Sequence, residues 1–355
     1  MKQKGSGRLR VVVRADASQS AGFGHLRRCA TLGRKLSESG VAVHFLLKAQ
    51  DVDLSVELNG FAEASVLFDP ELNGEADAAR TVEYCQRVGA ERLIVDHYNA
   101  DEAYQRVLLN AGLRWLQFDG AAGFPLWADW VVSMSPAAAA ERYNRLQRRP
   151  HTRMMLGPRY AILRDEFLQW RRPRTAPPQA HRLLLIFGGG DDRGACLACL
   201  DALRQVDIFE ITILSGGCNP QVPAIQTWMK KNATHRVCLL LDDADVARRM
   251  AEADIAITAG GTTTFETAMM GLPTLILQIA DNQLANAQAW GRMGAAVDLG
   301  PLDDLNAGQL RDQLVKLAGS SELRERMSVF GRKHVDGLGS SRLVGELYPN
   351  MGSIP

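Results

Sequence analysis

Short apolar runs, each leading through a polar or glycine-rich turn into a stretch of helical period, recur through both halves of this 355-residue chain. That alternation leaves few folds open. Leu93-Ile94-Val95 is apolar on every side chain, as expected of a strand whose two sheet faces are both covered by helices. Strand signals fall at residues 9–13, 41–47, 65–68, 93–95, 114–118 and 130–132, with helical patterns at 25–39, 75–88 and 101–110. The stretch Arg171-Arg172-Pro173-Arg174-Thr175-Ala176-Pro177-Pro178 has the composition of an interdomain linker. A second series follows, with strands at 183–187, 208–214, 237–241, 255–258 and 274–278 and helices at 194–204, 244–253, 307–317 and 322–334. Repeated strand–helix units predict an α/β chain with doubly wound parallel sheets. The chain is long enough for two such domains. We expect residues 1–170 and 183–335 to form them, with 171–182 as linker and 336–355 as tail.

Composition excludes several classes of function. Lys and Arg number 41 against 40 Asp and Glu, so no global field recruits nucleic acid or a membrane surface. No window is long and apolar enough to span a bilayer, and the basic N-terminal stretch lacks the apolar core of a secretory signal. A cytoplasmic protein without stable membrane insertion and without a nucleic-acid partner is expected; the oligomeric state is not encoded in any pattern here. Of six cysteines only Cys196 and Cys199 have metal-like spacing, and they sit in a helical pattern without a second pair. Buried thiols, rather than zinc or a disulfide, are the expectation. The segment 141–153 carries Arg142, Arg145, Arg148, Arg149 and Arg153. It reads either as a solvated face or as a phosphate- or bilayer-facing patch, though it lacks the apolar face that docking on a bilayer needs.

Doubly wound sheets bind ligands beyond the carboxyl ends of their strands. In the first half three strands end there in polar groups: Arg14 and Asp16 leading to Gly22-Phe23-Gly24-His25, then Asp96-His97-Tyr98, then Asp119. Gly22 and Gly24 allow backbone to approach a ligand, and His25 opens an amphipathic helix. The positive end of a helix disfavours imidazolium, so a histidine there suits a general base. A tight turn with a helix-capping histidine fits the local pattern equally.

In the second half Phe187-Gly188-Gly189-Gly190 joins a strand to a helix, without the spacing or the acidic partner of a nicotinamide site. Ala259-Gly260-Gly261-Thr262-Thr263-Thr264-Phe265-Glu266 is the stronger stretch. Such a turn suits a diphosphate at the helix start, with the Glu266 carboxylate on ribose hydroxyls. A capping box between Thr263 and Glu266 fits the same spacing. Asn282 and Gln283 can each donate and accept, which suits a sugar or a uracil edge.

The glycine turns, GGTTTFE and the Asp281-Asn282-Gln283 triplet resemble the GT-B nucleotide-sugar enzymes, whose two Rossmann-like domains face each other across a cleft. Within that class the chain is most similar to the hydrolases of UDP-2,4-diacetamido-2,4,6-trideoxy-β-L-altropyranose in pseudaminic acid biosynthesis, over roughly residues 8–300. The motifs are RADASQSAGFGHLRR (14–28), LIVDHY (93–98), GPRYAILRDEF (157–167), FGGGDD (187–192), AGGTTTFE (259–266) and DNQ (281–283). The resemblance implies a metal-independent, cofactor-free hydrolase that takes a UDP-sugar and water, with His25 as catalytic base. Tyr98 and Asp96 match residues near the sugar, Glu266 with its preceding glycines and threonines the UDP-binding part, and Asn282 a residue reaching toward the substrate. The chain departs from the family where Asp119-Gly120-Ala121 and Ser133-Met134-Ser135 stand in place of further polar groups. A GT-B UDP-sugar glycosyltransferase of cell-surface glycan synthesis is the alternative. For a lipid acceptor it would need an apolar–basic patch, of which Trp127 and Trp130 beside residues 142–153 are the hint.

Overall fold

A computed structural model describes residues 9–18, 24–50, 54–61, 63–67, 74–233 and 236–349. Its described residues fall into two compact units, one drawn from 1–163 and 338–355, the other from 164–337. In chain order the first contains β1 (Arg10–Ser18), α1 (Gly24–Glu38), β2 (Ala42–Gln50), α2 (Ser55–Leu58), β3 (Glu63–Leu67), α3 (Gly74–Val88), β4 (Arg92–Asp96), α4 (Glu102–Asn110), β5 (Trp115–Phe118), β6 (Trp130–Ser133), α5 (Ala140–Leu146) and β7 (Arg153–Leu156). The second contains α6 (Asp165–Trp170), β8 (Arg182–Ile186), α7 (Ala195–Ala202), β9 (Glu210–Ser215), α8 (Val222–Lys231), β10 (Val237–Leu241), α9 (Val246–Glu252), β11 (Ile255–Thr258), α10 (Thr263–Met270), β12 (Thr274–Gln278), α11 (Leu284–Arg292), β13 (Ala296–Pro301), α12 (Ala307–Gly319) and α13 (Ser321–His334). A last helix, α14 (Gly339–Leu347), belongs to the first unit.

Among the described residues the first sheet has the order β3-β2-β1-β4-β5-β6-β7 and the second β10-β9-β8-β11-β12-β13. Every pairing is parallel. The two orders are the same doubly wound pattern, each reversing direction beside its first strand. That reversal opens a crevice at the carboxyl ends, between β1 and β4 in one unit and between β8 and β11 in the other. Because helices cover both faces, the central strands are buried along their length: Leu93 to Asp96, Ile255 to Thr258 and Thr274 to Gln278.

Three boundaries differ from the sequence expectation, each for a tertiary reason. β1 runs through Arg14 and Asp16 rather than stopping at residue 13, because Arg14 finds carboxylate partners inside the fold. The Pro-rich segment is a strap on the second unit rather than a bare linker: Arg174 donates to the Met250 carbonyl at 3.0 Å and Ala180 N–H to the Ala318 carbonyl at 3.0 Å. The tail forms α14, which buries Leu343, Val344 and Leu347 in the first unit and is tied by Arg342 to the Arg159 carbonyl at 2.7 Å. The Arg-rich segment becomes α5, with Arg142 and Arg145 exposed and Tyr143 buried, followed by β7.

Candidate active site

The reversal point of the first sheet gathers most of the ionisable groups singled out in the sequence. His25 stands in the first turn of α1, directly after β1, and Asp96 is the last residue of β4. The His25 Nδ1 lies 2.6 Å from Asp96 Oδ1. A carboxylate only accepts, so Nδ1 carries the hydrogen and Nε2 of a neutral ring is left as the basic nitrogen. Arg28, one helical turn beyond His25, grips the same carboxylate, with Nε 2.5 Å from Oδ2 and a terminal nitrogen on Oδ1. The Cys29 thiol donates to Oδ2 at 3.3 Å. Asp96 is 1% exposed. Burial works to raise its pKa, but the Arg28 charge and hydrogen bonds, with the His25 contact, outweigh it and hold the group well below the usual carboxylate range.

Asp96 therefore holds His25 in place, its two oxygens spent on His25, Arg28 and Cys29 of α1. Tyr98 is presented very differently. It is 68% exposed, and its ring meets His25 edge-on at 4.7 Å and 80°. An exposed aromatic face next to an imidazole offers a ligand an apolar surface.

Arg14 and Asp16, expected to meet substrate, belong to a buried network. Arg14 is 0% exposed; its Nε and one terminal nitrogen bond the two Asp77 oxygens at 2.9 and 2.5 Å, and the other bonds Asp16 at 2.6 Å and the Ala15 carbonyl at 2.8 Å. Four of the five guanidinium N–H donors are spent inside the fold. Asp77 is a partner that the strand-end pattern does not reveal, although the sequence carries a signal for it: it lies on the buried stripe of α3 with Ala78, Thr81, Tyr84 and Cys85. Arg28 was equally legible as the residue three beyond His25. Gly24 opens α1 with space around it, and Gly22 lies outside the described residues.

The second reversal point carries the two glycine turns. Gly188 has φ +104°, a conformation that L side chains rarely adopt, and both it and Gly189 are exposed with open space where a Cβ would sit. Arg193 ties this turn to the end of β12 through the Ile279 carbonyl at 2.7 Å. After β11, Gly261 is open, while a Cβ on Gly260 would lie 2.8 Å from that of Gln283. The Gln283 Oε1 accepts from both Gly260 N–H and Ile279 N–H at 3.0 Å. The Gln283 Oε1 thus shapes the turn, held between the Gly260 and Ile279 N–H groups. Asn286 and Trp290 of α11 complete the brace: Asn286 donates to the Gly260 carbonyl at 2.6 Å and Trp290 to Thr264 Oγ1 at 3.0 Å. Gln283→Ala would leave two buried N–H groups unpaired, at a cost of about 1–3 kcal/mol. A lower melting temperature of the second unit is expected in a thermal melt; an unchanged one would show that water replaces the clamp.

The capping-box reading fails, because α10 begins at Thr263 with no side-chain hydrogen bond from its cap Thr262. Thr262 is exposed and Thr263 half-buried at the helix start. Glu266 is partly buried one turn in, with Arg164 3.7 Å from its carboxylate. Asn282 stands exposed on the short turn Asp281–Gln283. Cys196 and Cys199 are buried thiols in α7. Among the described residues no group of three His, Cys, Asp or Glu could hold a metal ion, and no helix is long and apolar enough to cross a membrane. A cavity of about 370 Å³ in the second unit is lined by Arg174, Arg182, Asp254 and Arg324, at the amino ends of the strands and hence at the opposite edge from the glycine turns.

No protein-family model matches the chain. It is 25% identical over 344 residues to the spore coat polysaccharide biosynthesis protein SpsG of Bacillus subtilis, covering 96% of this chain and 98% of that one. It is 22% identical over 293 residues to the UDP-2,4-diacetamido-2,4,6-trideoxy-β-L-altropyranose hydrolase of Campylobacter jejuni, covering 82% and 99%. Among solved structures it superposes on MurG of Acinetobacter baumannii with a TM-score of 0.68 at 16% identity, over 96% of this chain and 99% of that one. Two doubly wound sheets that share the order 3-2-1-4-5-6, the first with one further strand, and that likeness over nearly the whole length, show that the chain has the GT-B fold.

Proposed function

We propose that the chain is a nucleotide-sugar enzyme of GT-B type acting in sugar biosynthesis, and that its reaction is hydrolysis of a UDP-sugar at the anomeric C–O bond. The observation that carries this reading is the His25–Asp96 contact, 2.6 Å long and braced by Arg28, at the reversal point of the first sheet. With Nδ1–H held by Asp96, the His25 Nε2 takes a proton from water. The water oxygen bonds to the anomeric carbon, the carbon–oxygen bond to the diphosphate breaks, and the electron pair leaves with UDP. Attack opposite the leaving group inverts the centre. Charge growing on the diphosphate is met by backbone amides at the glycine turn after β8 and at the start of α10, which act as fixed dipoles. Glu266 holds ribose hydroxyls and Asn282 reaches the substrate. The sugar we assign, a 2,4-diacetamido-2,4,6-trideoxy hexose of pseudaminic (nonulosonic) acid synthesis, is supported by the motifs shared with that hydrolase and by the Campylobacter relative's named activity.

The rival is transfer of the same sugar to an acceptor. Its expected apolar–basic patch finds less support, because Trp130 is buried beneath Arg114 and half-buried Trp127 packs under Arg106. Proton NMR of candidate UDP-sugars with the purified protein decides between them. We expect UDP and free sugar to appear, with the anomer inverted and no acceptor added. Turnover that begins only when an acceptor is supplied would replace hydrolysis with transfer.

A further inference from the structure

His97 follows Asp96 and precedes Tyr98, and the alternation of side chains across a strand sends it to the other face of the sheet. There its ring meets Tyr104 of α4 edge-on at 4.8 Å and 74°. It is 5% exposed, and neither ring nitrogen has a hydrogen-bond partner among the described residues. Polar groups around it are committed elsewhere: both Asp77 oxygens and one Asp16 oxygen to Arg14, and the Tyr104 hydroxyl to Thr81 at 3.1 Å. Burial, and then the Arg14 cation, push the imidazole down to about 4. At neutral pH it is an uncharged ring with one donor and one acceptor, both idle.

The neighbouring strand ends the same way. Asp119, just past β5, spends Oδ1 on the N–H groups of Ala121 and Ala122 at 2.8 and 3.0 Å, while its Oδ2 is buried without a partner. Ser133 closes β6 with a buried hydroxyl near Tyr143 that makes no well-formed hydrogen bond. The pairings Val95↔Gln117 and Phe118↔Val132, carried forward, set His97, Asp119 and Ser133 at one level on one face. Strands about 4.7–4.9 Å apart make this a row roughly 10 Å long at the ligand-binding edge of the sheet. Buried polar groups are normally paired, so idle ones in a row at that edge point to a ligand that pairs them.

We propose that His97 and Asp119 form a subsite that reads an acylamino substituent of the sugar, the imidazole N–H donating to the amide C=O and the Asp119 carboxylate accepting its N–H. A hydroxyl also donates and accepts, but from a single atom; an amide separates the two functions, as two residues on adjacent strands do. The subsite rests on the nucleotide-sugar reading above.

Isothermal titration of the full chain with UDP, UDP-glucose and UDP-N-acetylglucosamine tests it, since the two sugars differ only in hydroxyl against acetamido. Wild type should bind the acetamido sugar at least about tenfold more tightly than UDP-glucose. His97→Phe keeps the packing on Tyr104 without the nitrogens and should bring the ratio to about one while leaving UDP affinity unchanged. His97→Gln, which restores a donor and an acceptor, should recover part of the ratio. Should His97→Phe fail to fold, Asp119→Asn keeps the Oδ1 acceptor and reads the same ratio. A wild-type ratio near one, a ratio that survives both substitutions, or an equal weakening of all three ligands would overturn the subsite. Absence of UDP binding to wild type would instead overturn the nucleotide reading, and the subsite with it.

Discussion

His25→Ala is expected to lower kcat about 10²–10⁴-fold, the usual worth of a positioned general base, with UDP affinity unchanged. The asymmetry follows from where the residue sits. His25 belongs to α1 in the first unit, whereas the glycine turns assigned to UDP belong to the second. Removing the ring takes away Nε2 and leaves Asp96 still bound by Arg28 and Cys29, so the local fold should survive. Steady-state rates of UDP release, paired with titration calorimetry of UDP, separate the two effects. An unchanged kcat would refute the assignment of the base. Loss of UDP binding in parallel with rate would show a structural role instead.

How much of this was legible in the sequence depends on the range of the interactions. The strands at 237–241, 255–258 and 274–278 are observed where expected, because an apolar run bounded by turn residues is a local signal. Both crevices were legible for the same reason: in doubly wound sheets the strand–turn–helix order itself says which edge binds ligand. Roles within the site were less so. Arg14 reads as a charge at a strand end, and only its Asp77 partner, 63 residues away, turns it into a buried strut. Gln283 reads as a ligand-facing amide because nothing local reveals that two backbone N–H groups converge on its oxygen. Helix α14 looked like a tail, since its apolar residues find their surface in the first unit, across the whole second unit in sequence. The strand β13 leaves no local signal, its run broken by Asp298 and Gly300.

Asp77→Ala should destabilise the first unit strongly. It would strand the Arg14 guanidinium, 0% exposed, with Asp16 and one carbonyl as its remaining partners. Removing one member of a buried pair costs about 3–5 kcal/mol, because the charge left behind has neither water nor a counter-ion. Asp16 stays, its carboxylate partly exposed, so the lower end of that range is expected. For a unit of this size the loss corresponds to a melting temperature roughly 6–12 °C lower. Thermal unfolding followed by circular dichroism measures it, and a drop under about 2 °C would mean the pair is worth no more than an exposed one. The double variant Arg14→Met with Asp77→Leu removes both charges and should regain most of the loss, since apolar pairs of similar volume often match buried ion pairs. Acid supplies an independent check. Burial works to raise the Asp77 pKa, but the Arg14 hydrogen bonds and charge more than reverse it, leaving it below the ordinary value. A carboxylate so lowered contributes fully above the unfolded pKa near about 4 and loses its contribution as pH falls through the folded value. Wild type should therefore lose stability below about pH 4 more steeply than Asp77→Ala does. Parallel acid profiles for the two would show that Asp77 does not carry the Arg14 charge.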